Sequence, residues 1–289
     1  AVLNLIPHLE INQGVYFPVN GMRSIANLLE RLCHEMGVKI HTNRSVENIS
    51  LINQKVNGVY TKDTFYESDI VICNQDIYFV YNHLLNNKKV AQELKQQERS
   101  TSAIIFYWGI NRIFDDLKLH NIFFSKNYKD EFYEISSEQN VPDDPTIYVN
   151  ISSKEQKHDA PKNCENWFVM INTPPNLDIV TEENINKTRK FIISKISDKV
   201  GIDLEDSIIF EKILTPKTLE NKTGSFNGSL YGDNQNSLMS IIKRKKNKDH
   251  KLKKLYYVGG TVHPGGGMPL VLRSGMNVAK NIINEIKYI

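Results

Sequence analysis

The residues best suited to chemistry lie in one glycine-rich segment near the end of the chain. A hydrophobic stretch over residues 254–258 predicts a buried strand, and an apolar periodicity over residues 270–286 predicts a helix. The turn between them contains five glycines: Gly259, Gly260, Gly265, Gly266 and Gly267. Glycine lets a ligand approach the backbone closely, and a helix start presents free N–H groups and a positive dipole end. This pattern predicts a site for a pyrophosphate or for the pyrimidine edge of a flavin. A tight turn that needs glycine only for packing is the alternative.

The elements that position this segment follow from apolar periodicity. A helix is predicted over residues 21–37 with Asn20 as its N-cap, and further helices over residues 77–98, interrupted near Asn86, and 181–200. Strands are predicted over residues 38–41, 45–51, 55–61, 64–74, 102–110, 121–125, 146–152, 167–173 and 208–214, and a loop over residues 221–236. The continuous apolar run over residues 70–73 predicts a strand that is buried on both faces.

Composition excludes several classes of protein. The 289 residues carry a net charge of +3, which is too small to indicate nucleic acid as a partner. Basic residues crowd into positions 243–254, which predicts either a solvated surface segment or a patch that faces an anionic membrane. The three cysteines have no metal-ligand spacing, so no metal site is predicted, and Cys33 and Cys73 are predicted core residues. No apolar run is long enough to cross a bilayer.

The glycine-rich segment resembles the C-terminal FAD signature of the bacterial phytoene desaturase family. The match includes the glycine pair after the strand, the run His263-Pro264-Gly265-Gly266-Gly267, and the following Pro269 and Ser274. The form with three glycines followed by Met-Pro-Leu is closest to the hydroxyneurosporene, or C-3,4, desaturase branch, from which Arg273 departs. Residues 14–22, 38–49, 71–76, 106–109, 120–125, 163–168 and 223–232 also resemble segments of the family, so the resemblance extends over most of the chain.

This resemblance implies FAD as the cofactor. The residues expected to contact it are Val46, Asn74, Gly259, Gly260, Thr261, Gly266, Gly267, Met268 and Pro269. The family also begins with a G-x-G-x-x-G motif that holds the pyrophosphate, and an acidic residue that holds the ribose. The sequence contains no such motif. We therefore expect a truncated FAD domain, and we expect the 289-residue chain alone to bind FAD poorly or not at all.

Four polar residues are candidates for roles in the reaction that the resemblance implies. His263 could act as an acid or base, but we favour a role in shaping the flavin edge, because desaturation mainly needs a hydride acceptor and a site without water. Arg273 could reach a phosphate, although a surface ion pair is the favoured interpretation. Glu165 and Asp76 are carboxylates that could stabilise a carbocation-like intermediate. For Asp76 we favour a helix N-cap.

The substrate implied by the resemblance is a membrane-dissolved carotenoid. Trp108, Trp167 and Phe168 are the predicted substrate contacts, although aromatic side chains on strands are also typical of an ordinary core. Peripheral contact with the cytoplasmic, inner face of the membrane is expected. Quinone or oxygen is the expected electron acceptor.

The predicted architecture is an α/β fold in two intermixed parts. Residues 1–76 and 252–289 form the remainder of a Rossmann-like FAD domain, and residues 77–251 form a substrate domain with a mostly antiparallel sheet and helices. The implied activity is FAD-dependent introduction of C=C bonds into a long isoprenoid. The alternatives are a carotenoid cis-trans isomerase, a flavin amine oxidase and a non-catalytic fragment.

Overall fold

The computed structural model describes residues 8, 10–234 and 244–287, and it combines helices with three β-sheets. The helices are α1 (Arg23–Glu35), α2 (Ile77–Phe79, continued by a π-helical turn over Val80–Leu84), α3 (Lys88–Lys95), α4 (Tyr128–Tyr133), α5 (Glu182–Val200), α6 (Pro216–Thr223) and α7 (Met268–Lys287). The strands are β1 (Val46–Ile52), β2 (Lys55–Thr61), β3 (Phe65–Glu67), β4 (Val71–Cys73), β5 (Ser102–Ile110), β6 (His120–Phe123), β7 (Ile147–Asn150), β8 (Glu165–Thr173), β9 (Ile208–Leu214) and β10 (Leu255–Tyr257).

The largest sheet has five strands in the order β6-β7-β8-β5-β9, and every neighbouring pair is antiparallel. Alternate side chains of β5 and β8 point to one face, where Trp108 lies opposite Trp167 in the register. Helix α5 contributes Ile192 and Ile196 to the same core, and both are fully buried. The mixture of helices and strands confirms the predicted α/β fold, and this sheet confirms the antiparallel arrangement.

A second core surrounds a parallel pair of strands. β10 pairs with β4, with Leu255 opposite Val71 and Tyr257 opposite Cys73. The meander of β1, β2 and β3 packs beside this pair, and helices α2 and α3 close the cluster. Residues on both sides of position 76 therefore share this core, and the division into two domains at that position remains a prediction.

Several predicted features near the start of the chain are wrong. Residues 38–41 form no strand, because among the described residues no neighbouring strand supplies the hydrogen bonds that a strand requires. The N-cap of α1 is Met22, since Asn20 instead occupies a turn with a φ of 68°. Helix α1 buries none of its residues, so Cys33 is only partly covered. In contrast, Cys73 is a core residue, as predicted.

Two further corrections concern the strand β4 and the helix α6. Ile72 is 51% exposed, so β4 is not buried on both faces. The three residues of its partner β10 are buried, including Tyr256 opposite Ile72, so the exposure is on β4 alone. Helix α6 extends to Thr223, beyond the predicted start of the loop, because Thr215 caps it and Pro216 occupies its first turn.

The basic segment is split between the interior and the surface. Arg244 is buried, and Lys245 is partly buried against Tyr81, so neither belongs to a solvated patch. Lys251 and Lys253 are exposed. Lys243 lies outside the described residues. No helix in the described part of the chain has both the length and the apolarity needed to cross a membrane.

Candidate cofactor and substrate site

The carboxyl ends of β4 and β10 meet at one edge of the second core. Asn74 follows β4 directly, and Gly259 follows β10 by two residues. Gly259 has a φ of +108°, and a Cβ atom built on it would lie 2.5 Å from the Asn74 Oδ1 atom. The close approach of these two segments therefore requires glycine. In open α/β sheets, ligands bind in the crevice beyond the carboxyl ends of the strands, so this edge is the expected ligand side.

A cavity of about 720 Å³ lies at this edge. Val46 from the start of β1 and Asn74 from the end of β4 line it together, with Cys73 and Gln75 beside them. The structure thus brings together two predicted cofactor contacts that are far apart in the sequence. The volume is within the range of small-molecule sites, which span roughly 300–1,000 Å³.

Three glycines of the turn, Gly260, Gly266 and Gly267, differ in what surrounds the position of a Cβ atom. A Cβ atom on Gly266 would lie 2.8 Å from the Tyr231 Cα atom, so Gly266 is required for packing within the chain. A Cβ atom on Gly260 would meet only ordinary contacts at 3.5 Å or beyond, and one on Gly267 would meet nothing within 4 Å. The packing alternative therefore explains Gly266, whereas Gly260 tolerates a Cβ atom and Gly267 leaves open space in which a ligand could approach the backbone.

The start of α7 is held against the turn by one buried serine. Ser274 Oγ donates to the carbonyl oxygen of His263 at 2.9 Å and accepts from the N–H of Gly259 at 3.3 Å. Pro269 has no N–H group, so Gly267 and Met268 are the residues whose backbone donors lie at the helix start. Thr261 Oγ1 accepts from the N–H of Ile77, which directs its hydroxyl toward α2.

His263 is anchored through its backbone. Its N–H donates to the carbonyl oxygen of Lys245 at 3.0 Å, and its carbonyl oxygen accepts from the Asn247 side chain at 2.8 Å. Burial lowers the pKa of its imidazole, and the positive charges of Arg244 and Lys246 lower it further. The side chain is therefore neutral near pH 7.

A buried ionic network lies directly behind the turn. Arg244 donates to the carbonyl oxygens of Gly260 and Asp233. Arg99 pairs with Asp233 at 2.8 Å and also with Asp76. These roles of Arg99, Asp233 and Arg244 were not predicted. A lone arginine in a lysine-rich run is the one sequence signal that could have indicated Arg244, because arginine is preferred for buried polar contacts.

A second unpredicted cluster fastens residues 244–252 to the core. Tyr257 donates to Asp249 at 2.7 Å, Tyr81 donates to the same carboxylate, and Lys245 donates to Tyr81 at 2.6 Å. Burial alone would raise the pKa of Asp249, but these hydroxyls and the N–H groups of residues 251 and 252 hold it well below its usual range. Burial lowers the pKa of Lys245.

The remaining candidate side chains have partners within the fold. Asp76 accepts from the N–H of Tyr78 at 2.9 Å, which confirms the predicted N-cap. Glu165 pairs with Lys154 at 2.6 Å inside the large core, and it does not line the cavity at the strand ends. Arg273 is exposed, and no ion pair to it occurs among the described residues.

The three predicted substrate contacts lie on opposite faces of the large sheet. Trp108 and Trp167 are fully buried in the core, and their indole N–H groups donate to Glu211 and Glu165. Phe168 lies on the other face, half-buried, with its ring centroid 5.5 Å from that of Tyr107. The structure therefore separates Phe168 from the two tryptophans. In the residues that the structure describes, no group of His, Cys, Asp and Glu could hold a metal ion.

The fold is shared with solved oxidoreductases. An oxidoreductase from Methanosarcina mazei matches 90% of this chain and 54% of its own, with a TM-score of 0.54 and 14% identity. A putrescine oxidase variant redesigned in cofactor binding matches 92% of this chain and 53% of its own, with a TM-score of 0.60 and 11% identity. At these identities the likeness defines the α/β fold alone. No protein-family model matches the chain.

Sequence similarity defines the relationship more narrowly. The chain is 44% identical, over 98% of its length, to a 1-hydroxycarotenoid 3,4-desaturase from a Flavobacterium species. It is 35% identical, again over 98%, to a 4,4'-diaponeurosporene oxygenase from Staphylococcus haemolyticus. The chain spans 58% and 57% of these two relatives. It is therefore related along almost its entire length to carotenoid-modifying proteins, which confirms the resemblance to the carotenoid desaturase family.

Proposed function

We propose that the protein is a flavin-dependent oxidoreductase that introduces C=C bonds into a long isoprenoid. The observation that carries this proposal is the 44% identity to a carotenoid desaturase over 98% of the chain, which includes the glycine turn at the ends of β4 and β10. The low-identity oxidoreductase structures support the fold that this activity requires.

The geometry of the strand ends fits FAD. Gly267 leaves space that no atom of the described chain fills, Gly260 presents its backbone without a side chain, and the cavity between Val46 and Asn74 adjoins the same edge. The residues that would hold the cofactor are Val46, Asn74, Gly259, Gly260, Thr261, Gly266, Gly267, Met268 and Pro269. Thr261 would contribute through its backbone, because its hydroxyl is bonded to Ile77, and Gly266 would contribute by shaping the turn. FAD, when bound, supplies the hydride acceptor.

The substrate side of the proposal rests on the open face of the large sheet. Tyr107 and Phe168 present half-exposed aromatic rings there, which suit an apolar polyene. Trp108 and Trp167 would act behind this face by keeping the sheet rigid. His263, neutral and anchored through its backbone, would shape the turn, as we favoured from the sequence. A carbocation-stabilising role is not proposed for Asp76 or Glu165, because both carboxylates are bonded within the fold.

The membrane and the electron acceptor complete the proposal. A long isoprenoid dissolves in the bilayer, so the protein would bind peripherally to the inner face, and exposed lysines such as Lys251 and Lys253 suit anionic lipids. Quinone or oxygen would take the electrons.

Product mass tests the reaction directly. The coding sequence that contains this chain would be expressed in cells that accumulate an unmodified polyene, and the pigments would be analysed by mass spectrometry. A product lighter by two hydrogens per step is expected. An unchanged mass with a shifted absorption spectrum would show isomerisation instead, and an added oxygen would show the activity for which the staphylococcal relative is named.

A further inference from the structure

Two buried carboxylates share the guanidinium group of Arg99, and they differ in how many of their oxygens the chain occupies. In Asp76, Oδ1 accepts from the N–H of Tyr78 at 2.9 Å. Its Oδ2 accepts from Arg99 and from the N–H of Phe226 at 3.1 Å. Asp233 accepts from Arg99 through Oδ1 at 2.8 Å, and among the residues that the structure describes no group donates to its Oδ2 atom. Asp233 therefore keeps one carboxylate oxygen available for another partner.

Asp233 lines a cavity of about 540 Å³ between the glycine turn and the start of β5. Gly266 borders this cavity from the turn, and Phe132 and Ile135 give it an apolar side. Asp76 does not line it. The structure therefore brings a carboxylate with an available oxygen to apolar space that adjoins the turn proposed to face the cofactor.

The other titratable groups on the described lining are less suited to accept a proton. They are Lys95, Glu98, Arg99 and Tyr231. Lysine and arginine cations offer no lone pair to a proton, and a neutral phenol is a poor base. Glu98 is exposed at the rim, where water solvates it. Asp233 is therefore the one buried carboxylate on the part of the lining that the structure describes.

The surroundings of Asp233 suit a base. Burial raises the pKa of its carboxyl group, and the negative charge of Asp76 raises it further, whereas the positive charges of Arg99 and Arg244 lower it. The resulting pKa lies above the usual value of an aspartate. A base with a higher pKa accepts a proton more readily, and the neighbouring arginines favour the ionised form that must exist beforehand.

We propose that Asp233 is the catalytic residue that accepts the proton during desaturation. This inference rests on the proposed function. An allylic carbon of the substrate loses a hydride, with both electrons of its C–H bond, to the acceptor that FAD supplies. The neighbouring carbon loses a proton to Oδ2 of Asp233, and the electrons of that C–H bond form the new C=C bond. A proton beside an electron-poor carbon is acidic enough for a carboxylate to remove, and water at the rim of the cavity then takes it from the carboxylic acid.

The first test uses the protein expressed from the coding sequence that contains this chain, with FAD and an unmodified polyene in liposomes. Asp233→Asn keeps the size of the side chain but removes the base, so kcat should fall by at least about 100-fold while KM is unchanged. Asp76→Asn is the matched control, because it changes the other carboxylate partner of Arg99 to the same amide. It should lower the stability to urea without a comparable fall in kcat.

Chemical rescue separates a base from a residue that only supports the fold. Asp233→Ala leaves room for formate, whose carboxylate can accept the proton instead. Formate should restore the activity of this variant in a concentration-dependent manner without raising its thermal stability. It should not restore Asp76→Ala, which also opens space beside Arg99.

A further measurement needs no cofactor. Carbon-13 NMR of the 289-residue chain follows the carboxyl carbon of Asp233, which is identified by its absence from Asp233→Asn. This carbon should titrate at a pH above the usual aspartate pKa of about 3.9. Titration at or below that value would contradict the assignment of Asp233 as the base.

The outcomes separate this inference from the proposed function. If the parent protein forms no product that is lighter by two hydrogens, the inference fails together with the proposed function. If the parent desaturates the polyene, a kcat of Asp233→Asn close to that of the parent would overturn the inference alone. Failure of formate to restore Asp233→Ala, or equal rescue of Asp76→Ala, would do the same. If Asp233→Ala does not fold, the kcat of Asp233→Asn decides.

Discussion

The large sheet and the glycine turn differ in how completely the chain packs around them. In the sheet core, Trp108 and Trp167 are fully buried, and each indole N–H has a carboxylate partner within the chain. In the turn, a Cβ atom on Gly267 would meet nothing within 4 Å, and one on Gly260 would meet only ordinary contacts. A densely packed core provides rigidity, whereas a region that leaves space beside its backbone can receive a ligand. From this difference we propose that the two tryptophans support the site and that the turn contacts the ligand.

The largest expected effect is in the sheet core. Trp167→Ala should lower the free energy of unfolding by about 3–5 kcal/mol, because it leaves a cavity and removes a hydrogen bond from Glu165. Phe168→Ala, the neighbouring change on the open face, should cost about 1 kcal/mol, since that ring is half-buried. Urea denaturation of both variants measures the contrast. Equal losses would mean that the two faces of the sheet do not differ as described.

The buried ionic network should be nearly as sensitive. Arg99→Met keeps the length of the side chain but leaves Asp76 and Asp233 without their shared cation, so a loss of about 3 kcal/mol is expected on urea denaturation. Arg31→Met is the control, since its ion pair with Glu35 is exposed and should contribute little. A loss below about 1 kcal/mol for Arg99→Met would show that the network does not hold the turn in place.

Three glycine variants sharpen the comparison within the turn and its helix. Gly266→Ala should cost about 1–3 kcal/mol, because its Cβ atom would meet the backbone of Tyr231 at 2.8 Å. Gly260→Ala should change the free energy of unfolding by less than about 0.5 kcal/mol, since the added Cβ atom would make only ordinary van der Waals contacts. Gly275→Ala, within α7, should stabilise by about 0.5–1 kcal/mol. Thermal and urea denaturation would rank the three, and a large loss for Gly260→Ala would contradict the prediction that a Cβ atom is tolerated there.

The smallest effect concerns pH. The folded-state pKa of Asp249 lies below its unfolded value of about 3.9, so its ionised form stabilises the protein above that pH, and this contribution is lost as the pH falls further. Asp249→Asn should therefore unfold with a weaker pH dependence than the parent chain between about pH 4 and pH 2. Parallel slopes in this window would show that Tyr81 and Tyr257 do not hold the carboxylate in its ionised form.

The sequence predicted elements that depend on local apolar patterns, and it missed features that depend on tertiary contacts. Strands β5 and β9 were predicted with the bounds they have, because their apolar runs are a local sequence signal for a strand. Residues 38–41 alternate apolar and polar side chains, as strands often do, but form no strand, because strand formation also depends on a partner that local sequence does not specify. The inward positions of Arg244 and Lys245 were missed for the same reason: a run of basic residues indicates charge, and only the tertiary fold decides which side chains turn inward.

The flavin contacts stay a prediction from the sequence. Motif resemblance predicted Val46, Asn74 and the glycine turn, and the structure places Val46 and Asn74 around one cavity with Gly259 against Asn74. The difference between Gly266, where a Cβ atom would clash, and Gly260, where one is tolerated, could not be predicted, because the clash at Gly266 is with Tyr231, which is distant in the sequence.

Hydrogen–deuterium exchange of the 289-residue chain, with and without a large excess of FAD, tests the central claim most directly. Although we expect this chain to bind FAD weakly at best, even partial occupancy at high FAD concentration should slow exchange in peptides that cover residues 258–268, 45–47 and 74–75. Gly260→Ala should abolish this protection, and Gly275→Ala should preserve it. Protection confined to other parts of the chain, or protection that Gly260→Ala leaves intact, would contradict the assignment of the glycine turn to the flavin.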